Sequence, residues 1–283
     1  MVSVVIPAHN EASVVGRLLG GLLADAAPGE FEVWVVANGC TDDTAEIADV
    51  FTDVKVLITP QANKHAAMRL ADEHAEGFPR LYVDADVELG ARDVRALAAA
   101  FEEPGVLAAG PSRALPTGRA ERRPWTVRWF YEVWDELPVV RAGLFGRGVV
   151  GVSREGWERL RALPPLLGDD LAASLLFEPA QRRVVAEASA VVHPPRNVRA
   201  LLKIRTRALV STLQAADDPE LASASGSART SLSDLRAIAA ASPLRATPKV
   251  AWFLVVTAAT KMRARRAVRT KDFRTWHRDD SSR

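Results

Sequence analysis

The sequence of 283 residues contains a single cysteine, Cys40. No intrachain disulfide can therefore form, and the cysteine content does not indicate an oxidising compartment. The chain opens directly on a strand-like apolar run, MVSVVIPAHNE, without a charged leader or a small-residue cleavage site. This opening predicts no signal peptide, and we expect a cytoplasmic location.

The sequence also lacks a long apolar run. The longest one near the end, VAWFLVVTAAT, is shorter than the ~20 residues needed to span a bilayer. Two interpretations stay open for this segment. It is either a helix that lies on the inner face of a membrane as a peripheral contact, or a helix that packs into the core.

A large excess of one charge is absent from the chain as a whole. Lys and Arg total 37 against 35 Asp and Glu, and this net charge of +2 does not indicate a nucleic-acid-binding protein. The cations are nevertheless concentrated towards the end of the chain. From position 245 onward they are Arg245, Lys249, Lys261, Arg263, Arg265, Arg266, Arg269, Lys271, Arg274, Arg278 and Arg283. Only Asp272, Asp279 and Asp280 oppose them, which predicts a basic C-terminal surface.

The first half of the chain alternates apolar strand-like runs with helical patterns. The predicted strands are 2–8, 31–38, 54–59 and 80–86, and the predicted helices are 12–24, 41–50, 64–76 and 91–102. Such alternation implies parallel strands joined by helical crossovers. We therefore expect an α/β fold with a mixed, mostly parallel central sheet and helices on both faces. Ligands of such sheets bind beyond the carboxyl ends of the strands.

The second half is less regular. A further strand is predicted within 182–195, and a basic helix over 198–213. The Ser-, Ala- and Gly-rich segment that follows predicts a loop or linker. These patterns divide the chain into a main domain over 1–215, a flexible linker over 216–234 and a basic helical extension over 235–283.

Two carboxylates follow the fourth predicted strand, in the segment RLYVDADVEL. Asp84 and Asp86 flank Ala85, and strand alternation would put both on one face, where they repel each other unless a cation is present. Turn or capping chemistry explains a single Asp at such a position. The pair indicates instead a hard divalent ion such as Mg²⁺ or Mn²⁺, completed by phosphate oxygens.

Several motifs in order resemble the family 2 glycosyltransferases of GT-A fold, over roughly residues 2–207. The motifs are VSVVIPAHNEA, VVANGCTDDT, YVDADVEL, LGDDLAAS and AVVHPPRNVRALLKIRTRA. The resemblance implies an inverting, metal-dependent enzyme that moves a sugar from a nucleoside diphosphate sugar to an unidentified hydroxyl acceptor. It also implies a nucleotide-binding half over 1–110 and an acceptor and catalytic-base half over 111–215.

The resemblance assigns roles to individual residues. The implied nucleotide-binding residues are Pro7, Ala8, Asn10, Glu11, Asn38, Asp42, Lys64 and Asp84. Asp86 and His193 would bind the metal ion, although a polar residue at a strand exit explains His193 as well. Asp170 would be the general base, with Asp169 orienting it or contacting the acceptor; the alternative is that this pair caps a helix.

The diphosphate and the acceptor would meet residues of the second half. The implied contacts are Arg196, Arg199, Arg205 and Trp134. Trp134 belongs to an aromatic group, with Trp125, Trp129 and Tyr131, that could stack on an acceptor or pack in the core. Both interpretations stay open.

The sequence departs from the family pattern at two positions. Ala37 stands where many relatives have an acidic residue that binds uracil. The sequence therefore does not identify the nucleotide base of the sugar donor. Cys40 replaces the usual Ser as a small residue and has no neighbouring His in sequence to activate it.

Three other classes of protein are alternatives to this interpretation. A nucleotidyltransferase should have a Gly-rich loop with a basic residue after the first strand, and a dinucleotide-dependent oxidoreductase should have GxGxxG there; neither pattern follows residues 2–8. A binding protein or degenerate transferase without turnover stays open because of Ala37.

Overall fold

The computed structural model describes residues 1–116, 123–164, 168–219, 221–222 and 230–270, without the side chains of 267–270. Seven strands in these residues form one sheet: β1 (Val2–Ala8), β2 (Phe31–Asn38), β3 (Val54–Thr59), β4 (Arg80–Val83), β5 (Ala108–Ala114), β6 (Val149–Val152) and β7 (Arg182–Val191). Their order across the sheet is β3-β2-β1-β4-β6-β5-β7. Among these strands only β6 runs antiparallel to its neighbours, so the predicted mostly parallel sheet is confirmed.

Helices connect and cover these strands. They are α1 (Val15–Leu23), α2 (Thr44–Asp49), α3 (Lys64–Asp72), α4 (Ala91–Ala99), α5 (Trp125–Trp134), α6 (Pro138–Ala142), α7 (Arg154–Ala162), α8 (Asp169–Leu176), α9 (Val198–Asp217), α10 (Leu232–Ala241) and α11 (Pro243–Thr270). Side chains begin several of them: Asn63, Ser153, Asn197 and Ser231 each accept a backbone N–H of the first turn. These caps accept hydrogen bonds from backbone N–H groups that have no partner within the first turn of the helix.

The central strands are mostly apolar because both faces of the sheet are covered. Helices α1 and α4 pack on one face through Leu18 and Val94. Helices α3 and α8 pack on the other through Met68 and Leu175. A strand buried on both faces needs a continuous apolar run rather than alternation, and β1 and β2 have such runs.

The C-terminal helices pack on the domain through a third apolar cluster. Phe130 of α5 stacks on Phe253 of α11, with ring centroids 4.9 Å apart. Leu201 of α9 and Leu235 of α10 complete this cluster. One face of the predicted apolar helix is thus packed in the core. No helix in the described part of the chain is long and apolar enough to cross a membrane.

Some element boundaries differ from the prediction. Strand β4 ends at Val83, so the two aspartates do not share a strand face. Strands β5 and β6 were not predicted, because they are short and rich in Ala, Gly and Val. The predicted linker overlaps the end of α9 and the start of α10. Its residues 220 and 223–229 lie outside the described residues, as does the tail from 271 onward.

A buried ion pair fixes the start of β4 against α3. The Arg80 guanidinium donates to Asp72 Oδ1 at 2.8 Å, and the two side chains are 2% and 9% exposed. Tyr82 also donates to Asp72, at 2.7 Å. We expect Asp72→Ala to lower the free energy of unfolding by about 3–5 kcal/mol, since it leaves a buried cation without its partner.

Urea denaturation measures this loss, and the exposed pair of Arg183 with Glu103 supplies the matched control. Glu103→Ala removes a carboxylate that is 55% exposed and should cost less than about 0.5 kcal/mol. Equal losses in the two variants would contradict a structural role for the buried pair.

Candidate active site

Parallel strands bring their carboxyl ends to one edge of the sheet, where the polar segments of β1, β2 and β4 meet. Helix α3 begins at this edge, with Asn63 accepting from Ala66 N at 3.1 Å. Helix α8 begins there as well, at Asp169. The chain thus joins residues far apart in sequence at one place.

A lysine lies between two of the predicted site carboxylates. Lys64 Nζ is 2.5 Å from Asp84 Oδ1 and 2.8 Å from Asp169 Oδ2. Asp170 follows directly in α8, and we call these four residues the Lys64 cluster. The side chains of Lys64, Asp84 and Asp169 are 35%, 41% and 25% exposed, so the cluster is open to a ligand.

The charges of the Lys64 cluster set its proton affinities. Burial alone would raise the pKa of Asp169, but the Lys64 ammonium, helped by Arg207, holds it below its usual value. Burial would likewise lower the pKa of Lys64, yet the charges of Asp169 and Asp84 raise it. Lys64 and Asp169 are therefore both ionised at neutral pH.

Asp170 differs from its neighbour. Its Oδ2 accepts from Gly146 N at 2.6 Å and its Oδ1 from Leu171 N at 2.8 Å. Burial and the charge of Asp169 raise the pKa of Asp170, although the Gly146 N–H and Lys64 act in the opposite direction. A positioned carboxylate with a raised pKa suits proton abstraction.

Neither aspartate is the N-cap residue of α8. Asp169 and Asp170 are the first two residues of the helix, and Gly168 occupies the N-cap position without a side-chain bond. Asp170 Oδ1 still accepts from Leu171 N in the first turn, and each carboxylate also has a partner outside the helix. Their negative charges still favour the positive end of the helix dipole.

The segment after β4 is a turn rather than a strand. Asp84 N donates to Gly148 O at 2.8 Å, and Val87 N to Asp84 O at 3.3 Å. Gly148 has φ +68°, and a Cβ there would lie 2.3 Å from Val87 Cγ1. Only glycine fits this close approach, which positions the turn that carries Asp84 and Asp86.

Glu88 connects this turn to the end of β7, where it pairs with Val191. His193 Nε2 donates to Glu88 Oε1 at 2.7 Å, and Arg17 Nε lies 3.5 Å from the same oxygen. Arg17 also donates to the Asp86 carbonyl at 3.4 Å. Within the described residues no three His, Cys, Asp or Glu side chains form a group that could hold a metal ion.

Several residues predicted to contact the nucleotide hold two loops together. The Asn38 amide donates to Ala8 O at 2.8 Å and to Val36 O at 3.3 Å. Asn10, with φ +52°, accepts from Thr41 N at 2.7 Å.

The other predicted residues of these two loops are also engaged by the protein. Asp42 accepts from Ala12 N at 3.1 Å, and Glu11 N donates to Thr44 Oγ1 at 2.8 Å. Pro7 lies in β1 opposite Val36. The loop after β1 is thereby fixed to the loop after β2.

Among the predicted diphosphate and acceptor residues, only Arg205 and Trp134 are shown in contact with each other. Arg196 and Arg199 are exposed at the start of α9. The Arg205 guanidinium lies over the rings of Phe130 and Trp134, at 5.4 Å and 5.3 Å, and burial lowers its pKa. Arg205 therefore packs in the aromatic cluster.

Trp134 is 4% exposed, so its ring does not offer an open face to an acceptor. A Cβ at Gly146, which has φ +72°, would lie 2.6 Å from its Cη2. The ring therefore supports the loop that donates to Asp170. The core interpretation holds for Trp134 and Tyr131, whereas Trp125 is 51% exposed.

Sequence reasoning missed several residues of the site. Gly146 and Gly148 fix the loop beside Asp170 and Asp84, and the GRG spacing was their signal. Arg207 acts on Asp169 through its charge. Glu88, the partner of His193, lies in the turn after β4, and its position had no recognisable signal.

Curated relatives resemble parts of the chain. The glycosyltransferase AglE of Haloferax volcanii is 34% identical over 91 residues, which cover 30% of this chain and 30% of AglE. The chain thus matches less than a third of the length of this relative.

Solved structures resemble the chain more completely. The mannosyltransferase PcManGT of Pyrobaculum calidifontis, in complex with GDP-Man and Mn²⁺, is 21% identical with a TM-score of 0.64, over 93% of this chain and 86% of that one. The glucosyl-3-phosphoglycerate synthase of Mycobacterium tuberculosis, in complex with Mn²⁺, UDP and glucosyl-3-phosphoglycerate, is 18% identical with a TM-score of 0.52, over 75% and 79%. At these identities the likeness is one of fold, and it confirms the predicted GT-A architecture.

The family model described as glycosyl transferase family 2 matches residues 3–146. This range is about half of the chain and includes β1 to β5, the turn with Asp84 and Asp86, and Gly146. The chain belongs to glycosyl transferase family 2.

Proposed function

We propose that the protein transfers a sugar from a nucleoside diphosphate sugar to an acceptor hydroxyl, with inversion at the anomeric carbon. The observation that carries this proposal is the Lys64 cluster at the carboxyl edge of the sheet. In this cluster the Asp169 carboxylate forms an ion pair with Lys64, and the next residue, Asp170, has a raised pKa. The matched family range ends at residue 146, so the role of Asp170 rests on its geometry.

Asp170 is the proposed general base. Two N–H groups orient its carboxylate, and the raised pKa increases its affinity for a proton. As the acceptor oxygen bonds to the anomeric carbon, Asp170 takes the hydroxyl proton and the bond to the diphosphate oxygen breaks. A single displacement of this kind inverts the anomeric centre. Asp169 stays ionised beside Lys64 and holds the start of α8 in place.

Asp86 is the proposed metal ligand, and His193 is the second proposed ligand. A single carboxylate, with at most an imidazole beside it, is a small set of protein ligands, which fits Mg²⁺ or Mn²⁺ because these ions usually keep waters and bind substrate phosphates. His193 Nε2 is already bonded to Glu88. When bound, the ion would neutralise charge on the departing diphosphate.

This proposed activity is compatible with more than one nucleotide base in the sugar donor. The two solved relatives contain different nucleotides, GDP-Man and UDP, each with Mn²⁺. Ala37 is buried and has no side-chain acceptor. A thermal-shift panel of guanosine, uridine and thymidine diphosphates, with and without Mn²⁺, followed by turnover with the matching sugars, identifies the donor. Binding without any sugar transfer would favour a binding protein without turnover.

Removal of the proposed base tests the chemistry. We expect Asp170→Asn to preserve donor affinity and lower kcat by about 10²–10⁴-fold, the range for a lost general base. In the wild type, kcat should fall at acidic pH with an apparent pKa above the ordinary carboxyl value, because the pKa of Asp170 is raised. Asp169→Asn is the neighbouring control. Near-normal turnover of Asp170→Asn would refute the assignment, and loss confined to Asp169→Asn would move the base by one residue.

Replacement of the proposed metal ligand tests donor binding. We expect Asp86→Asn to weaken nucleoside diphosphate binding in the presence of Mn²⁺ by at least about tenfold, since even outer-shell partners of metal sites cost about 10–100-fold. Titration calorimetry with and without Mn²⁺ measures the effect. Asp53→Asn, an exposed carboxylate before β3, is the control. An unchanged metal dependence in Asp86→Asn would remove Asp86 from the site.

Removal of the cation of the Lys64 cluster should make stability depend on pH. In Lys64→Met the clustered carboxylates lose the cation that lowers the pKa values of Asp169 and Asp170, so the folded pKa values of these two residues rise above the unfolded ones. The folded state then binds more protons, and the stability deficit grows as pH rises. The side chains are partly exposed and screened, so we expect the Tm deficit to grow by about 2–4 °C from about pH 5 to about pH 8, as ~1 kcal/mol would produce.

Thermal melting in metal-free buffer measures this difference between the two pH values. Lys261→Met, which removes an exposed cation of α11, is the control and should show no such growth. A pH-independent deficit in Lys64→Met would mean that the lysine contributes packing rather than charge.

A further inference from the structure

The last helix, α11, has two different apolar faces. Val250, Phe253 and Val256 face the core formed with α5 and α9. On the opposite side, Leu244, Val255 and Met262 are 95%, 57% and 67% exposed. A helix buried on one side normally presents polar residues on the other, so this second face needs an explanation.

The outer face is a continuous stripe. Its members recur alternately at four and three positions, the spacing of one helix face. They are Leu244, Pro248, Ala251, Val255, Ala258 and Met262, all exposed. Leu254, 43% exposed, adjoins them. We call these seven residues the outer stripe.

An aromatic side chain extends the outer stripe sideways onto α5. Trp252 lies one helical turn from Val255, and its ring centroid is 5.5 Å from that of Trp125. Trp252 Nε1 donates to Thr126 O at 2.6 Å, which fixes this contact. Trp125 is half exposed. A Trp at the border of an apolar patch is typical of membrane interfaces, where the ring contacts the apolar region and its polar edge contacts water or headgroups.

The charged residues of α11 itself are all cations. Residues 243–270 contain no Asp or Glu. Lys249 pairs with Glu132 of α5 at 2.6 Å. Lys261, Arg263 and Arg265 are exposed on either side of Met262. An apolar face bordered by cations is the composition of helices that lie in an anionic interface.

We propose that the outer stripe of α11, with Trp125, binds the surface of an anionic phospholipid bilayer. The helix would lie along the surface, since no helix in the described residues can cross a membrane. A second copy of the chain is the other candidate occupant. Two such stripes would bring cations together with no carboxylate of the helix to compensate them, which disfavours self-association.

Flotation with vesicles tests this proposal on the full chain. We expect the protein to float with phosphatidylcholine vesicles that contain phosphatidylglycerol, and to float less at high salt and with phosphatidylcholine alone. Val255→Glu with Met262→Glu should lower the bound fraction by about tenfold or more, because two exposed apolar contacts become anionic. Both residues are exposed, so thermal melting should be unchanged.

Exposed apolar residues at the opposite end of the sheet provide a matched control. Val50 and Ile58 are 78% and 73% exposed near β3, and Val50→Glu with Ile58→Glu should leave flotation unchanged. Absence of wild-type flotation at low salt, or equal losses in both double variants, would overturn the proposal. So would a dimer in light scattering that Val255→Glu dissociates, because the outer stripe would then bind a second copy. Sugar-transfer activity plays no part in this test.

Discussion

The site depends on one cation held between carboxylates from different parts of the chain. Lys64 begins α3, Asp84 follows β4, and Asp169 begins α8. Three clustered carboxylates would repel one another without it. The ammonium therefore allows the start of α8, from the second half of the main domain, to lie against the carboxyl edge of the first half. The ion pairs of Lys64 thus both compensate the carboxylate charges and hold the parts of the site together.

The two adjacent aspartates of α8 have different environments because a helix turns by about 100° per residue. Asp169 points to Lys64, and its pKa is lowered. Asp170 points to the Gly146 amide, and its pKa is raised. The ionised neighbour is itself one cause of that rise. A pair of identical side chains thus gives one stable anion and one carboxylate with a high proton affinity, from position alone.

The regular part of the fold followed from sequence, and the site followed only in part. Strands β1 to β3 and the helices between them have strong apolar periodicity, which local pattern reveals. Strand β6 pairs between β4 and β5 through long-range contacts, and its four residues carry little local signal. Asp84, Asp86, Asp169 and Asp170 were identified by type and order. The Lys64 bridges, the Gly148 turn and the burial of Arg205 depend on residues distant in sequence, which local pattern does not encode.

The loops after β1 and β2 limit how a nucleotide base could be recognised at this edge. Both donors of the Asn38 amide are bonded to backbone carbonyls, and Asp42 accepts from Ala12 and Thr44. A ligand that takes the Asn38 donors has to break those bonds, which costs free energy. The same contacts fix the shape of the two loops. Under the proposed function, Ala37 supplies no side-chain acceptor, so the choice of base falls to the shape of the loops, their backbone groups and their remaining side-chain oxygens.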